Sequence, residues 1–325
     1  MKKLRKGMIV VLAVLMAAAM ITGCGGDNIP EEMTQPVKIA ALNGPTGMGM
    51  VQLMDQTDKY EITVYQAPSD AAAKIINGEV DVAAVPSNMA AIIYNKTEGQ
   101  IQAISPITMG VLYIVGNDTD IKELQDLKGK TIIASGKGGA PEYILQKVLE
   151  NAGLTMGEDV KVEWLSNHTE VNIKLCSQKG TVAMLPEPFV SVALASQEAD
   201  NSQIFDLNEL WKEATGEELP MGVLIARKSF IEEREGDLTL FLYDYGKSVD
   251  FVNEGGDEAA TLITEKGFIG KKEIAASAIE RCGIVLFDGD DREEGRAILK
   301  KFNEILFEME PASIGGKMPD EEFYY

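Results

Sequence analysis

Apolar and polar positions along the chain fall into short runs that alternate between strand-like and helix-like spacing. Val37–Leu42 is apolar apart from Lys38, Tyr60–Tyr65 alternates with period two, and Val80–Val85 is largely apolar again, so each reads as a strand. Helical runs separate them. Met48–Gln56 is the first. A second is opened by Pro68-Ser69-Asp70, with Ser69 or Asp70 placed to cap it, and closed by Asn77-Gly78; Met89–Asn95 follows Pro86-Ser87-Asn88. That order predicts a mostly parallel sheet covered by helices. Ile101–Val115 is a long apolar stretch broken by Pro106 and Gly110, which reads as a strand followed by a crossing segment. The alternation then restarts. Ile121–Leu127 is a short helix, Thr131–Ala134 a strand, Ser135–Pro141 a glycine-rich turn and Glu142–Ala152 a helix. Val160–Leu165, Glu170–Gln178 and Thr181–Leu185 read as strand, helix and strand, and Pro186-Glu187-Pro188 opens a helix over Phe189–Gln197. Ile204–Leu207 and Met221–Ala226 are further strands. From Ser229 onward the pattern is helical and charged, ending in Leu238–Asn253, Asp257–Glu265, Lys271–Arg281 and Arg292–Met309.

Composition narrows the chemistry. A length of 325 residues suggests two domains. The 45% hydrophobic content excludes disorder as the main state, and 51 acidic against 30 basic residues, net charge -21, argue against a nucleic-acid partner. One histidine, His168, and three cysteines, Cys24, Cys176 and Cys282, exclude zinc fingers, histidine cages and disulfide scaffolds. Cys176 and Cys282 read as free buried thiols. Gly136-Lys137-Gly138-Gly139 lacks the Gly-Lys-Ser/Thr ending of a phosphate loop, and Pro141 replaces the third glycine of a dinucleotide fingerprint. Asp288-Gly289-Asp290-Asp291 lacks the final glutamate of a calcium loop. No metal, no cofactor and no catalytic residue is expected.

The start of the chain has a different logic. Lys2, Lys3, Arg5 and Lys6 precede the apolar run Met8–Ile21, and no acid occurs before Asp27. That run falls short of the roughly 20 residues a membrane-spanning helix needs, and has the length of a secretory signal. Its ending, Ile21-Thr22-Gly23-Cys24, resembles the bacterial lipobox. The resemblance implies a signal over 1–23, lipidation of Cys24, and a polar tether over 24–36. Loss of the four basic residues would take the charge from -21 to -25.

Three further segments are distinctive: Asp126-Leu127-Lys128-Gly129-Lys130-Thr131-Ile132, Leu185-Pro186-Glu187-Pro188-Phe189, and Pro311–Asp320 followed by Phe323-Tyr324-Tyr325. With the lipobox and two α/β units, the chain resembles extracytoplasmic solute-binding proteins of ABC importers. Within them it is similar to the nitrate/sulfonate/bicarbonate-binding family, which includes thiamine-precursor binders. The resemblance implies an α/β, two-lobed type II periplasmic-binding-protein fold. Two crossing strands are expected near Met109–Val115 and Met221–Ala226, with lobe 1 built from 37–115 and 221–325 and lobe 2 from 116–220. It implies a lipid-anchored, extracytoplasmic monomer that captures a small molecule between the lobes and delivers it to a permease and its ATPase.

Ligands of open α/β sheets bind at strand C-ends, where helix N-termini offer free N–H groups. The candidate loops supply Asn43, Gly44, Thr46, Gly47, Ser69, Ser87, Asn88, Ser135, Lys137, Gly138, Gly139 and Glu187. Glycines there either let backbone approach a ligand or only make turns, and the polar residues either bind or cap helices. Trp164, at the end of the strand Val160–Leu165, and Asn167, just after it, are further candidates; Trp164, with Tyr143 and Phe189, either stacks on a flat ring or belongs to the core. Lys137 is the one cation of these loops, and the absence of arginine there turns the reading toward a thiamine-precursor-like heteroaromatic, with a small organic anion such as a sulfonate second. An enzyme related to pyrimidine-precursor synthases is disfavoured by the lone His168 and the distant cysteines. A ligand-free surface lipoprotein is the remaining alternative.

Overall fold

The computed structural model describes residues 29–30, 32–196 and 199–325. The expected signal and Cys24 lie outside the described residues. In chain order the first part comprises β1 (Val37–Leu42), α1 (Pro45–Met48), β2 (Tyr60–Tyr65), α2 (Pro68–Ile76), β3 (Val82–Pro86), α3 (Ser87–Lys96) and β4 (Ile101–Met109). The second comprises β5 (Leu112–Asn117), β6 (Thr131–Ser135), α4 (Ala140–Asn151), β7 (Lys161–Leu165), α5 (His168–Ser177), β8 (Thr181–Pro186), α6 (Phe189–Leu194), β9 (Asn201–Asp206) and α7 (Leu207–Thr215). The rest is β10 (Pro220–Arg227), α8 (Lys228–Glu233), α9 (Glu235–Glu254), α10 (Gly256–Glu265), α11 (Lys272–Ala278) and α12 (Arg292–Met309).

Two five-stranded sheets result, ordered β2-β1-β3-β10-β4 and β7-β6-β8-β5-β9. Each has three parallel strands from βαβ units and two antiparallel additions. The sheets are thus mixed, with parallel pairing confined to the side of each that carries the βαβ crossovers. The chain changes sheets abruptly. β4 ends at Met109 and β5 starts at Leu112, so Leu112–Val115, expected in lobe 1, lie in the second sheet. Gly110 makes the corner at φ 36, a positive value that L side chains rarely adopt; a β-carbon there would also fall 2.3 Å from Asn208. The return is equally sharp: Pro220 already pairs with Met109, so Met221–Ala226 belongs wholly to the first sheet instead of crossing.

Local differences have local causes. Expected helix Met48–Gln56 is instead the end of a four-residue α1, turns and a 3-10 segment at Leu53–Asp55; α1 stops at Gly49, its C-cap, and glycine is unfavourable inside a helix. At Gly47 a β-carbon would meet the Leu42 carbonyl oxygen at 2.1 Å, so α1 lies against the end of β1. Helix α7, absent from the pattern reading, is capped by Asp206, whose side chain accepts from the Asn208 N–H at 2.8 Å, and it ends at Gly216 in the left-handed region. It buries Leu207 and Trp211. Cys176 is half-buried and Cys282 buried; both are free thiols.

The C-terminal helices do not stay with one sheet. Leu299 of α12 packs in the core under the first sheet, while Phe302 and Leu306 enter the core of the second. Phe302 meets Trp211 with ring centroids 5.8 Å apart. Beyond α12, the Tyr325 N–H donates to the Ala103 carbonyl at 2.9 Å, and Gly283 accepts from the Met109 N–H at 2.8 Å, so the outer edge of β4 is covered.

Candidate functional site

Six of the helices begin at the C-end of a parallel strand: α1, α2 and α3 above the first sheet, α4, α5 and α6 above the second. Their N-termini converge on one cavity of about 650 Å³ between the sheets. The first-sheet wall holds Asn43, Gly44, Pro45, Thr46, Pro68, Pro86, Asn88 and Met89. The second-sheet wall holds Gly136–Pro141, His168 and Pro186-Glu187-Pro188-Phe189. The crossover strands close the floor with Thr108, Val111, Leu112 and Met221, and the α10–α11 loop adds Phe268, Ile269 and Gly270. Initial N–H groups of a helix have no intrahelical acceptor, and the helix dipole is positive at that end. The cavity is therefore a place for an acceptor-rich group, inside walls that are mostly apolar.

Of the residues expected from sequence, Asn43, Gly44, Thr46, Asn88, Lys137, Gly138, Gly139 and Glu187 line this cavity. The others stand apart from it. Gly47 is buried within α1. Ser69 is exposed on α2, and Ser87 is buried with its hydroxyl unpartnered. Ser135 sits behind the wall, Asn167 caps α5 by accepting from the Glu170 N–H at 2.9 Å, and half-buried Trp164 packs on the second core from the edge strand β7. Tyr143 likewise joins that core, whereas Phe189 faces the cavity.

The charges of the site are few. Lys137 is exposed and makes no ion pair among the described residues. Glu187 is only 1% exposed, and its carboxylate is fully engaged. One oxygen accepts from Arg281 Nε at 2.5 Å and Ser191 Oγ at 3.1 Å, the other from the Ser191 N–H at 3.1 Å. Arg281 also donates to Ser191 Oγ at 2.7 Å, so a residue following α11 of the first lobe is tied to the start of α6 in the second. This explains why cleft loops without arginine still contain a stable buried carboxylate: its cation arrives from a distant segment. The other described arginines are equally committed, Arg227 and Arg234 to Asp81, Arg292 to Asp288 and Arg296 to Glu293.

His168 lines the cavity at the first turn of α5. Its Nδ1 shares a 2.7 Å hydrogen bond with Ser135 Oγ, and its ring lies 5.4 Å from that of Phe189. Burial pushes its pKa down to about 4, so the imidazole is neutral at pH 7 and presents Nε2 without a charge. This histidine was not among the residues expected at the site. The signal that could have promoted it is its position directly after an Asn N-cap at a strand C-end, the same position as the other lining residues. Phe268, Ile269 and Gly270 left no such signal, because they join two C-terminal helices.

A family model for the periplasmic substrate-binding protein of a phosphonate ABC transporter matches residues 50–278. No curated protein sequence matches the chain. Among solved structures, an ABC transporter protein from Parabacteroides distasonis shares 22% identity at TM-score 0.74, covering 90% of this chain and 99% of its own. The periplasmic aliphatic sulphonate-binding protein of Escherichia coli shares 16% identity at TM-score 0.66, covering 88% and 92%. The periplasmic nitrate-binding protein of Synechocystis shares 11% identity at TM-score 0.60, covering 91% and 93%. At such identities the three structures establish a common two-lobed fold.

Proposed function

The chain belongs to the phosphonate-binding family of ABC-transporter periplasmic substrate-binding proteins, and from that membership we propose that it captures a small organic anion with an apolar body and passes it to a permease and its ATPase. The observation that carries this reading is the convergence of six helix N-termini, three per lobe, on one largely apolar cavity. Sulfonates and phosphonates put their oxygens where backbone N–H groups are free and keep an alkyl or aryl part for Met89, Phe189 and Phe268. Lys137 is the exposed cation of the lining. Glu187 offers nothing to a cationic ligand, since Arg281 and Ser191 already saturate it. Nitrate is far too small to fill about 650 Å³. A second reading, a flat heteroaromatic such as a thiamine precursor, is favoured by the aromatic rings and by neutral His168, which pairs with ring nitrogens as readily as with oxyanions.

The protein then works by closure of residues 37–110 plus 220–325 on 111–219 around the bound solute, as a monomer without turnover. Cys24 carries the lipid and the acidic body hangs from it. Native mass spectrometry of protein extracted from membranes without refolding tests both parts. The expected spectrum shows a chain that starts at a diacylglyceryl Cys24 and a co-purified organic anion. Titration calorimetry that finds no heat with alkyl- and arylsulfonates, the matching phosphonates and a hydroxymethyl aminopyrimidine would reject the binding function.

A further inference from the structure

His168 opens the ten-residue helix α5, directly after its cap Asn167, and lines the cavity. Its ring is held from two sides. The Phe189 ring lies 5.4 Å away, and Ser135 Oγ is 2.7 Å from Nδ1. Ser135, the last residue of β6, is 3% exposed, and this is the only hydrogen bond its hydroxyl makes among the described residues. That count decides the direction of the bond. A serine hydroxyl has one proton to give, and a neutral imidazole has one N–H and one bare nitrogen. With the ring proton on Nδ1, the ring would donate to Oγ and the buried serine O–H would have no acceptor, which is costly. With Ser135 donating to Nδ1, both groups behind the wall are paired and the ring proton sits on Nε2. An imidazolium meets the same obstacle, because its Nδ1–H again strands the serine proton, and burial disfavours that cation as well. Nε2 has no protein partner among the described residues and is not sealed from solvent. Neighbouring polar side chains of the lining are already engaged. Asn43 donates to Gln66 Oε1 at 3.1 Å, Asn88 to the Ser313 carbonyl at 3.0 Å, and Glu187 accepts from Arg281.

Resting on the binding-protein reading above, we propose that Ser135 is a positioning residue that fixes His168 as the Nε2–H tautomer, and that this N–H is a specificity-determining donor to an acceptor atom of the ligand. An oxyanion oxygen or an unprotonated ring nitrogen accepts from it; an ammonium group cannot. The donor is neutral, so it adds direction to the wall of helix N-termini without adding charge. Ser135 stays behind the wall and touches no ligand. Its loss frees the ring to carry the proton on either nitrogen, and half of those states turn a bare nitrogen to the ligand.

The chain holds one histidine, so nitrogen-15 labelling of histidine gives a single imidazole to read by NMR. Spectra of the purified full chain at pH 7, without ligand, are expected to show a protonated Nε2 and a bare Nδ1. Ser135→Ala is expected to mix in the other tautomer, and Ser135→Thr to restore the first. Calorimetric titration uses propanesulfonate, propylphosphonate, a hydroxymethyl aminopyrimidine and, as the donor-only counterpart, propylammonium. His168→Phe is expected to weaken the preferred acceptor probe about tenfold or more, while His168→Gln, which keeps a side-chain N–H, stays within about threefold. An Nδ1–H ring or an imidazolium in the wild type overturns the tautomer. An unchanged spectrum in Ser135→Ala overturns the role of the serine. Wild-type affinity in His168→Phe, or equal weakening in His168→Phe and His168→Gln, overturns the donor and leaves the binding function standing. A preference for propylammonium overturns the assignment of an acceptor ligand. A wild-type chain that binds none of the probes overturns the binding function and the ligand contact together.

Discussion

Single side chains carried uneven signals. Asn43, Thr46, Asn88 and Lys137 were legible as cavity-lining residues because each stands near the junction of a strand and a helix, and that position is itself the geometry of the cavity. Thr108 and Met221 were not, since a residue inside an apolar strand gives no sign of which sheet face it lines. Glu187 was found for its place in the loop, but its partner, 94 residues further along at Arg281, has no local trace. His168 carries a prediction at this scale. Its ordinary pKa is 6.5 and burial holds it near 4 in the folded chain. Between those values the unfolded chain binds a proton that the folded chain refuses, so stability falls as pH drops through 6.5 and levels off below 4, by about 3 kcal/mol in all. Urea unfolding of His168→Gln at pH 7 and pH 4 is expected to show a smaller acid loss than wild type; an equal loss would mean the ring is protonated in the fold.

Secondary-structure elements were legible where period and punctuation agree. Arg292–Met309 was found to the residue, because acids fill its first turn and its apolar positions recur along one face. α7 escaped, although Asp206, Leu207, Trp211 and Gly216 together spell a cap, a buried face and a stop. A nine-residue helix behind a strand offers too few turns for period alone to announce it. Its value lies in what it holds: Trp211 against Phe302, both 0% exposed. Phe302→Ala is expected to lower unfolding free energy by about 3–5 kcal/mol, read from urea midpoints at unchanged slope. A loss under about 1 kcal/mol would show that α12 does not depend on this contact.

At the scale of the molecule, two α/β units were visible in the order of elements, and the resemblance supplied the discontinuous first lobe. The exact corner was not visible, because Gly110 sits inside one apolar run that belongs to two sheets. The lobes are also less independent than two domains would suggest. α12 enters both cores, and Arg281 bonds across to Glu187 and Ser191. Scanning calorimetry is accordingly expected to give one cooperative transition; two resolved peaks would show the lobes melting separately. The strand order has a further effect on how the protein comes into being. Every strand of the second sheet lies before residue 207, whereas the first sheet waits for β10 at Pro220–Arg227, its neighbour on both sides, and its outer edge for Tyr325. A chain that emerges N-terminus first therefore has every strand of its second sheet before the first sheet is complete, although the second core still waits for Phe302 and Leu306. The cavity is not walled until Phe268–Gly270 has emerged, so a partial chain presents no finished cavity.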